Sequence, residues 1–203
     1  MSFCAIHLIE PSSFPEPSID VISTEEMQVA ILAGGCFWCV EAVFSKLKGV
    51  HSIVPGYSGD KKINANYKDV CSGNTKHAEV IKIRFDSNII TFGHLLKIFF
   101  SVAHDPTQVN RQGNDIGLQY RSQIFYLDSE QEKVAKSYIN QLNNAKVYDN
   151  DIITKLDKLN EFYPAESYHH KYADINPDQP YIKFISLPKV EKLKYYFSKY
   201  LNK

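Results

Sequence analysis

Two cysteines three residues apart, Cys36 and Cys39, follow a pair of glycines in the run Gly34-Gly35-Cys36-Phe37-Trp38-Cys39. Upstream, Val29, Ile31 and Leu32 read as a strand. Downstream, Phe37, Val40, Val43, Phe44, Leu47 and Val50 recur at threes and fours, the spacing of a helix that Gly49 is placed to end. A cysteine in the first turn of a helix faces unpaired backbone N–H groups and the positive end of the helix dipole. Both favour thiolate over thiol, so Cys36 is expected to ionise more readily than a free cysteine and to act as a nucleophile at neutral pH. The glycines let the chain turn tightly and leave the sulfur approachable.

Cys36 and Cys39 also form a Cys-x-x-Cys pair, whose Cα atoms on a helix lie roughly 5 Å apart, within reach of a disulfide. A redox pair is one reading; a small buried Cys39 beside an unrelated thiol is the other. A zinc site would need two more ligands, and there is no second Cys-x-x-Cys. His169 and His170 are adjacent, so on a helix they point in different directions. Phe37 and Trp38 suggest an apolar pocket for a small uncharged group, with core packing as the alternative for one of them. From His77 to Phe85 the residues alternate strictly, and Glu79 shares a face with Ile81, Ile83 and Phe85. Burial there would raise the pKa of Glu79 and keep it protonated near neutrality, able to donate a proton. Tyr67 and Tyr120 could donate hydrogen bonds into a site, though 13 tyrosines make none stand out by composition. Asp115, in an Asn-Asp-x-Gly stretch, suits a turn.

The elements that must position these groups follow from the rest of the pattern. The chain has 203 residues, 44% of them apolar, enough for a substantial core in one domain or at most two. Lys plus Arg balances Asp plus Glu at 23 each, which argues against nucleic acid or an anionic membrane as partner. No apolar run approaches the ~20 residues of a membrane span. The N-terminus lacks a basic region and a clean apolar stretch, Glu10 and Pro11 interrupting it, so a cytoplasmic location is expected. All four cysteines (Cys4, Cys36, Cys39, Cys71) fall early in the chain, and reactive thiols are expected rather than structural bridges. Pro11, Pro15 and Pro17 mark residues 1–26 as a flexible arm before a single catalytic domain at 27–203.

Within that domain, His51 to Tyr57 reads as a strand bent at Pro55 and Gly56. Ser58 to Thr75 reads as a long polar loop of the kind that carries function. Thr91 to Ala103 reads as a helix, His104 to Gly117 as a loop and Gln119 to Leu127 as a strand. Ser129 to Glu132 forms a capping box for the next helix. Ile152 to Leu156 is a further strand, and Pro164 suits the first turn of a helix through Tyr172. Tyr181 to Ile185 is a short strand, and Lys189 to Tyr200 an amphipathic helix with Val190, Leu193 and Phe197 inward and a solvated lysine face. Strands and helices alternate without regular βαβ spacing, so an α+β fold with a mixed sheet is expected.

These residues resemble the A-type peptide methionine sulfoxide reductases. The resemblance is carried by Gly35-Cys36-Phe37-Trp38, Gly56-Tyr57-Ser58-Gly59, Tyr67-Lys68-Asp69-Val70-Cys71-Ser72-Gly73 and His77-Ala78-Glu79. Further blocks are His104-Asp105-Pro106-Thr107-Gln108, Arg111-Gln112-Gly113-Asn114-Asp115 with Gly117, and Gln119-Tyr120-Arg121-Ser122. Ala165-Glu166 with His169 and Tyr172 resembles the family's late helix. The resemblance implies a loop-rich, ferredoxin-like two-layer α+β sandwich around a mixed sheet. It implies that Cys36 attacks the sulfur of methionine-(S)-sulfoxide, free or in proteins, giving methionine and a sulfenic acid. Phe37 and Trp38 would hold the substrate methyl, Glu79 would protonate the sulfoxide oxygen, Tyr67 and Tyr120 would hydrogen-bond it, and Asp115 would line the site. No cofactor or metal is implied; thioredoxin is the expected reductant, protein repair under oxidative stress the expected role, and a monomer the expected state.

Two departures from the family pattern matter. Cys39 stands where glycine is common, and position 182 is isoleucine where many members carry a resolving cysteine; no cysteine follows Cys71. A sulfenic acid must be captured before it oxidises further. Cys39, one helical turn away, is the expected resolving residue, with Cys71 the alternative and direct reduction by an external thiol the third route. Asp60 also replaces a common glycine. Two rival readings are a thioredoxin-like disulfide reductase, whose regular βαβ units fit this chain poorly, and a module that senses oxidised methionine without turning it over.

Overall fold

The computed structural model describes residues 9–21 and 25–202. In chain order the elements are β1 (Met27–Gly34), α1 (Phe37–Phe44), β2 (Val50–Ser58), α2 (Tyr67–Cys71), β3 (Ala78–Asp86) and α3 (Phe92–Ile98). A small hairpin of β4 (Arg111–Gln112) and β5 (Asp115–Ile116) follows, then β6 (Ser122–Tyr126), α4 (Ser129–Asn144), β7 (Lys155–Lys158) and β8 (Tyr163–Pro164). Finally come α5 (Tyr172–Ile175) and α6 (Leu187–Tyr196). The main sheet has the order β7-β6-β1-β3-β2-β8. All its pairings are antiparallel except β6 with β7, so the sheet is mixed.

β1 and β3 lie at the centre, which is why Ala30 to Gly34 are buried on both faces. The alternation of β3 decides how its two faces are used. Ile81, Ile83 and Phe85 join Leu32, Ile124 and the apolar side of α1 in the main core. Ala78 and Val80 join Ile31, Ala33 and Phe125 in a smaller cluster on the opposite face. α4 contributes Val134, Ala135, Tyr138 and Leu142 to the main core, so helices gather on one side of the sheet. This is the expected two-layer α+β arrangement. No helix among the described residues is long and apolar enough to cross a membrane.

Several local expectations are corrected. The polar stretch from Ser58 to Thr75 contains α2, nucleated by the Asn66 side chain accepting from the Asp69 N–H at 3.0 Å. The helix from Thr91 passes into a π-helical turn at Phe99–Ala103. Asp128, one residue before the expected box, caps α4 by accepting from the Gln131 N–H at 2.8 Å. Pro164 does not open a helix. It sits in the edge strand β8 opposite Gly56, where a residue without an N–H is tolerated. Tyr181–Ile185 is not a strand either: Ile182–Ser186 form a π-helical turn that runs straight into α6. The lysine face of α6 is not wholly solvated, since Lys189 is 2% exposed.

The described part of the expected flexible arm is docked. Phe14 is buried within the main core and meets Tyr148 edge-on at 5.7 Å. The Tyr138 hydroxyl donates to the Pro15 carbonyl at 3.0 Å, and Gln141 bonds the backbone of both Glu16 and Ser18. The segment is therefore a docked strap rather than a free tail, Pro11 opening a short 3-10 turn at Pro11–Ser13. Cys4 lies outside the described residues. If the strap adds to stability, Phe14→Ala should lower it by about 3 kcal/mol in urea unfolding, as for other buried aromatics. A loss within experimental error of zero would show the strap to be energetically idle.

Candidate active site

Gly35 adopts φ +88°, and a Cβ there would lie 2.7 Å from the side chain of Gln112, so only glycine makes this turn. The turn delivers Cys36 as the N-cap of α1, just outside its first turn, with no hydrogen bond from its side chain to the helix N–H groups. The Phe37 N–H is instead taken by the Glu79 carboxyl at 2.9 Å. The expected lowering of the Cys36 pKa is therefore corrected. Cys36 is 8% exposed, and burial pushes its thiol well up, with the Glu79 carboxyl adding to the rise.

Cys36 and Cys39 hydrogen-bond to each other, and both thiols are free. Cys39 is 1% exposed. The hydrogen bond from Cys36 pulls its pKa down to about 6 against the cost of burial, helped by the positive charge of Lys189. The two sulfurs titrate as a pair, and at rest the negative charge settles on Cys39.

Glu79 is 2% exposed on the core face of β3, as its register requires. Burial raises its pKa to about 8, and the nearby Asp115 carboxyl adds to the rise, against the Phe37 N–H, which favours the anion. At neutral pH it is a carboxylic acid. Asp115, from β5, accepts a hydrogen bond from Tyr181, and burial raises its pKa too. Tyr67 and Tyr120 both sense the charges of Glu79 and Cys36, and burial lifts both phenols above their ordinary range, so they serve as neutral donors. Cys71, exposed at the end of α2, is hydrogen-bonded to the Tyr67 hydroxyl.

Aromatic rings close the remaining side. Trp38 stacks on Tyr172 at 3.8 Å with 9° between planes, and meets Tyr181 edge-on at 6.1 Å. Its indole N–H donates to His169 Nδ1 at 3.1 Å. Phe37 is 1% exposed, so it serves as floor and core packing, while Trp38 is half-buried and forms the accessible wall. His169 and His170 face apart, the second contacting the Ala165 carbonyl. Among the described residues no three His, Cys, Asp or Glu side chains converge to hold a metal ion. The structure thus brings together Cys36, Cys39, Glu79, Asp115, Tyr67, Tyr120, Phe37 and Trp38. Sequence reasoning missed Tyr181, Ser186 and Lys189, and left the role of Glu166, which accepts from the Tyr57 hydroxyl and the Tyr67 N–H, unassigned.

Residues 28–201 match the sequence profile of the family described as peptide methionine sulfoxide reductase. The chain belongs to this family. It is 50% identical over 173 residues to peptide methionine sulfoxide reductase MsrA of a Nitratiruptor species, covering 85% of this chain and 98% of the relative. It is 46% identical over 197 residues to MsrA 2 of a Synechocystis species, covering 94% of this chain and 92% of the relative. Among solved structures, reduced Mxr1 from Saccharomyces cerevisiae superposes with a TM-score of 0.69 at 31% identity, covering 80% of this chain and 92% of that one. Methionine sulfoxide reductase A of Corynebacterium diphtheriae gives 0.64 at 29% identity, covering 84% and 85%. As a peptide methionine sulfoxide reductase the chain is an oxidoreductase that reduces methionine sulfoxide, and its thiol pair, neutral acid and aromatic wall suit that chemistry.

Proposed function

We propose that Cys36 is the nucleophile of this peptide methionine sulfoxide reductase and Glu79 its acid. A sulfoxide carries no net charge, and its oxygen is a poor leaving group until protonated. The observation that carries the assignment is the Glu79–Phe37 N–H hydrogen bond, which puts a protonated carboxyl at the same helix mouth as the reactive sulfur. Cys36 passes its proton to Cys39 and attacks the sulfur of methionine-(S)-sulfoxide, while Glu79 protonates the oxygen. Tyr67 and Tyr120 donate to that oxygen, Trp38 and Phe37 receive the methyl group, and Asp115 fixes the Tyr181 ring beside Trp38. The hydroxyl then passes from the substrate sulfur to the Cys36 sulfur, the transient S–S bond breaks with its electron pair returning to the substrate, and methionine departs, leaving Cys36 as a sulfenic acid.

Cys39 then attacks the Cys36 sulfur. Cys39 hands the proton it took from Cys36 to the sulfenic oxygen and attacks as the thiolate; the S–O bond breaks, water leaves, and a Cys36–Cys39 disulfide remains. Cys71 is the second candidate for this step, being hydrogen-bonded to a site residue. Thioredoxin reduces the disulfide, and the enzyme works as a cytoplasmic monomer repairing oxidised methionine in proteins, with residues 27–203 as one catalytic domain and neither nucleic acid nor membrane as partner. Charge balance agrees with this reading. Single turnover without reductant tests it. Wild type should release one methionine per chain and Cys36→Ser none; methionine release by Cys36→Ser would remove the nucleophile from Cys36.

A further inference from the structure

Cys39 faces polar side chains from one continuous helical segment. The Cys39 S–H donates to the Tyr181 hydroxyl at 3.6 Å, and that hydroxyl's own proton goes to Asp115. Ser186 is fully buried, and its hydroxyl is left without a hydrogen-bond partner on the side of the Cys39 sulfur. Lys189 is 2% exposed, and its ammonium donates to the Ala103 carbonyl at 2.6 Å. No carboxylate forms an ion pair with it among the described residues. The π-helical turn at Ile182–Ser186 is what gathers them. Its i to i+5 pairing brings Ser186 under Tyr181, and Lys189 then follows one α-helical turn later on the same face.

A buried ammonium without a counter-charge is costly, and so is a buried hydroxyl without an acceptor. A neutral thiol satisfies neither; a thiolate satisfies both. We infer that Lys189, with Ser186, is a positioning residue that holds Cys39 as the thiolate from which the Cys36 disulfide is made. This rests on Cys39 being the resolving cysteine. The other titratable groups near Cys39 are Cys36 from the turn before α1, whose hydrogen bond favours the Cys39 anion, and Glu79 from β3, which opposes it once ionised; Asp115 from β5 reaches it through Tyr181. Buried His104 is neutral, its pKa lowered to about 3 by burial, so it supplies no cation. Lys189 is then the cation on the Cys39 side of the pair, and it adds to the lowering of the Cys39 pKa that the Cys36 hydrogen bond begins.

The test follows disulfide formation after one equivalent of methionine sulfoxide, by acid quench and mass mapping across pH 5 to 9. In wild type the Cys36–Cys39 bridge should form throughout the neutral range. Lys189→Met should shift the acid limb of that profile upward by about one pH unit or more, with one methionine per chain still released. Lys189→Arg should restore the limb. Ser186→Ala, a smaller change that preserves packing, should shift it in the same direction and guards against misfolding of the Met variant. Unchanged profiles in Lys189→Met and Ser186→Ala would overturn the assignment to Lys189 while leaving the sulfoxide reductase intact. A wild-type bridge to Cys71, or no bridge while methionine is released, would overturn the Cys39 reading itself and the inference with it.

Discussion

Glu79→Gln is expected to lower the rate of methionine formation by about a hundredfold or more, with little change in substrate affinity. The amide keeps the shape and still accepts from the Phe37 N–H, but has no acidic proton for the sulfoxide oxygen. The pH dependence should separate the roles further. The wild-type acid is active while protonated, so the rate should fall as pH rises through about 8, and Gln should abolish that limb. Stability should also fall as pH rises. The folded state holds a proton on Glu79 up to about 8, whereas the unfolded chain releases it near its ordinary value of 4.5. Between these pH values the native state binds more protons, so this group makes the protein less stable as pH rises through the window. Glu79→Gln removes that penalty. Urea unfolding at pH 8 should find the variant as stable as wild type or more so, a cost of function set into the core. A variant that is active and still loses rate above pH 8 would shift the acid to another group, with Asp115 first in line.

The site was legible where one local pattern carried both placement and chemistry. Alternation along β3 put Glu79 on the buried face, and burial, helped by the Asp115 carboxyl, keeps it protonated. The Gly34-Gly35-Cys36 turn into α1 was equally readable, because strand period, glycines and helix period all change at one point. The ionisation of Cys36 was not readable. It depends on whether the sulfur or a distant carboxyl takes the Phe37 N–H, and Glu79 is 42 residues away in sequence. The last helix was misread for a different reason. Tyr181, Ile182, Phe184 and Ile185 look like a strand because a π-helical turn breaks the 3.6-residue period at that place. That one misreading hid Tyr181, Ser186 and Lys189 together. Phe14 was missed because prolines signal an extended backbone but say nothing of whether it is free or docked.

Cys39→Ser should split the reaction in two. The serine cannot form a disulfide and is a weak base, so single turnover should still give one methionine per chain, more slowly at neutral pH. Steady-state turnover with thioredoxin should fall by about a hundredfold or more, because a neighbouring thiol acts at a far higher effective concentration than any thiol in solution. The Cys36 sulfenic acid should accumulate, be trapped by a dimedone-type reagent, and pass to sulfinic acid under excess oxidant. Cys71→Ser should leave both phases near wild type. The geometry favours this order: Cys39 is hydrogen-bonded to Cys36 within one helical turn, whereas Cys71 is engaged by Tyr67. Reversed results, with Cys71→Ser stalling turnover and Cys39→Ser sustaining it, would assign the bridge to α2. They would leave Cys39 as the proton acceptor of the pair, a role for which its buried, cation-flanked position is equally suited. Both results would still place the first chemical step at Cys36, since each variant keeps that sulfur and the protonated acid beside it.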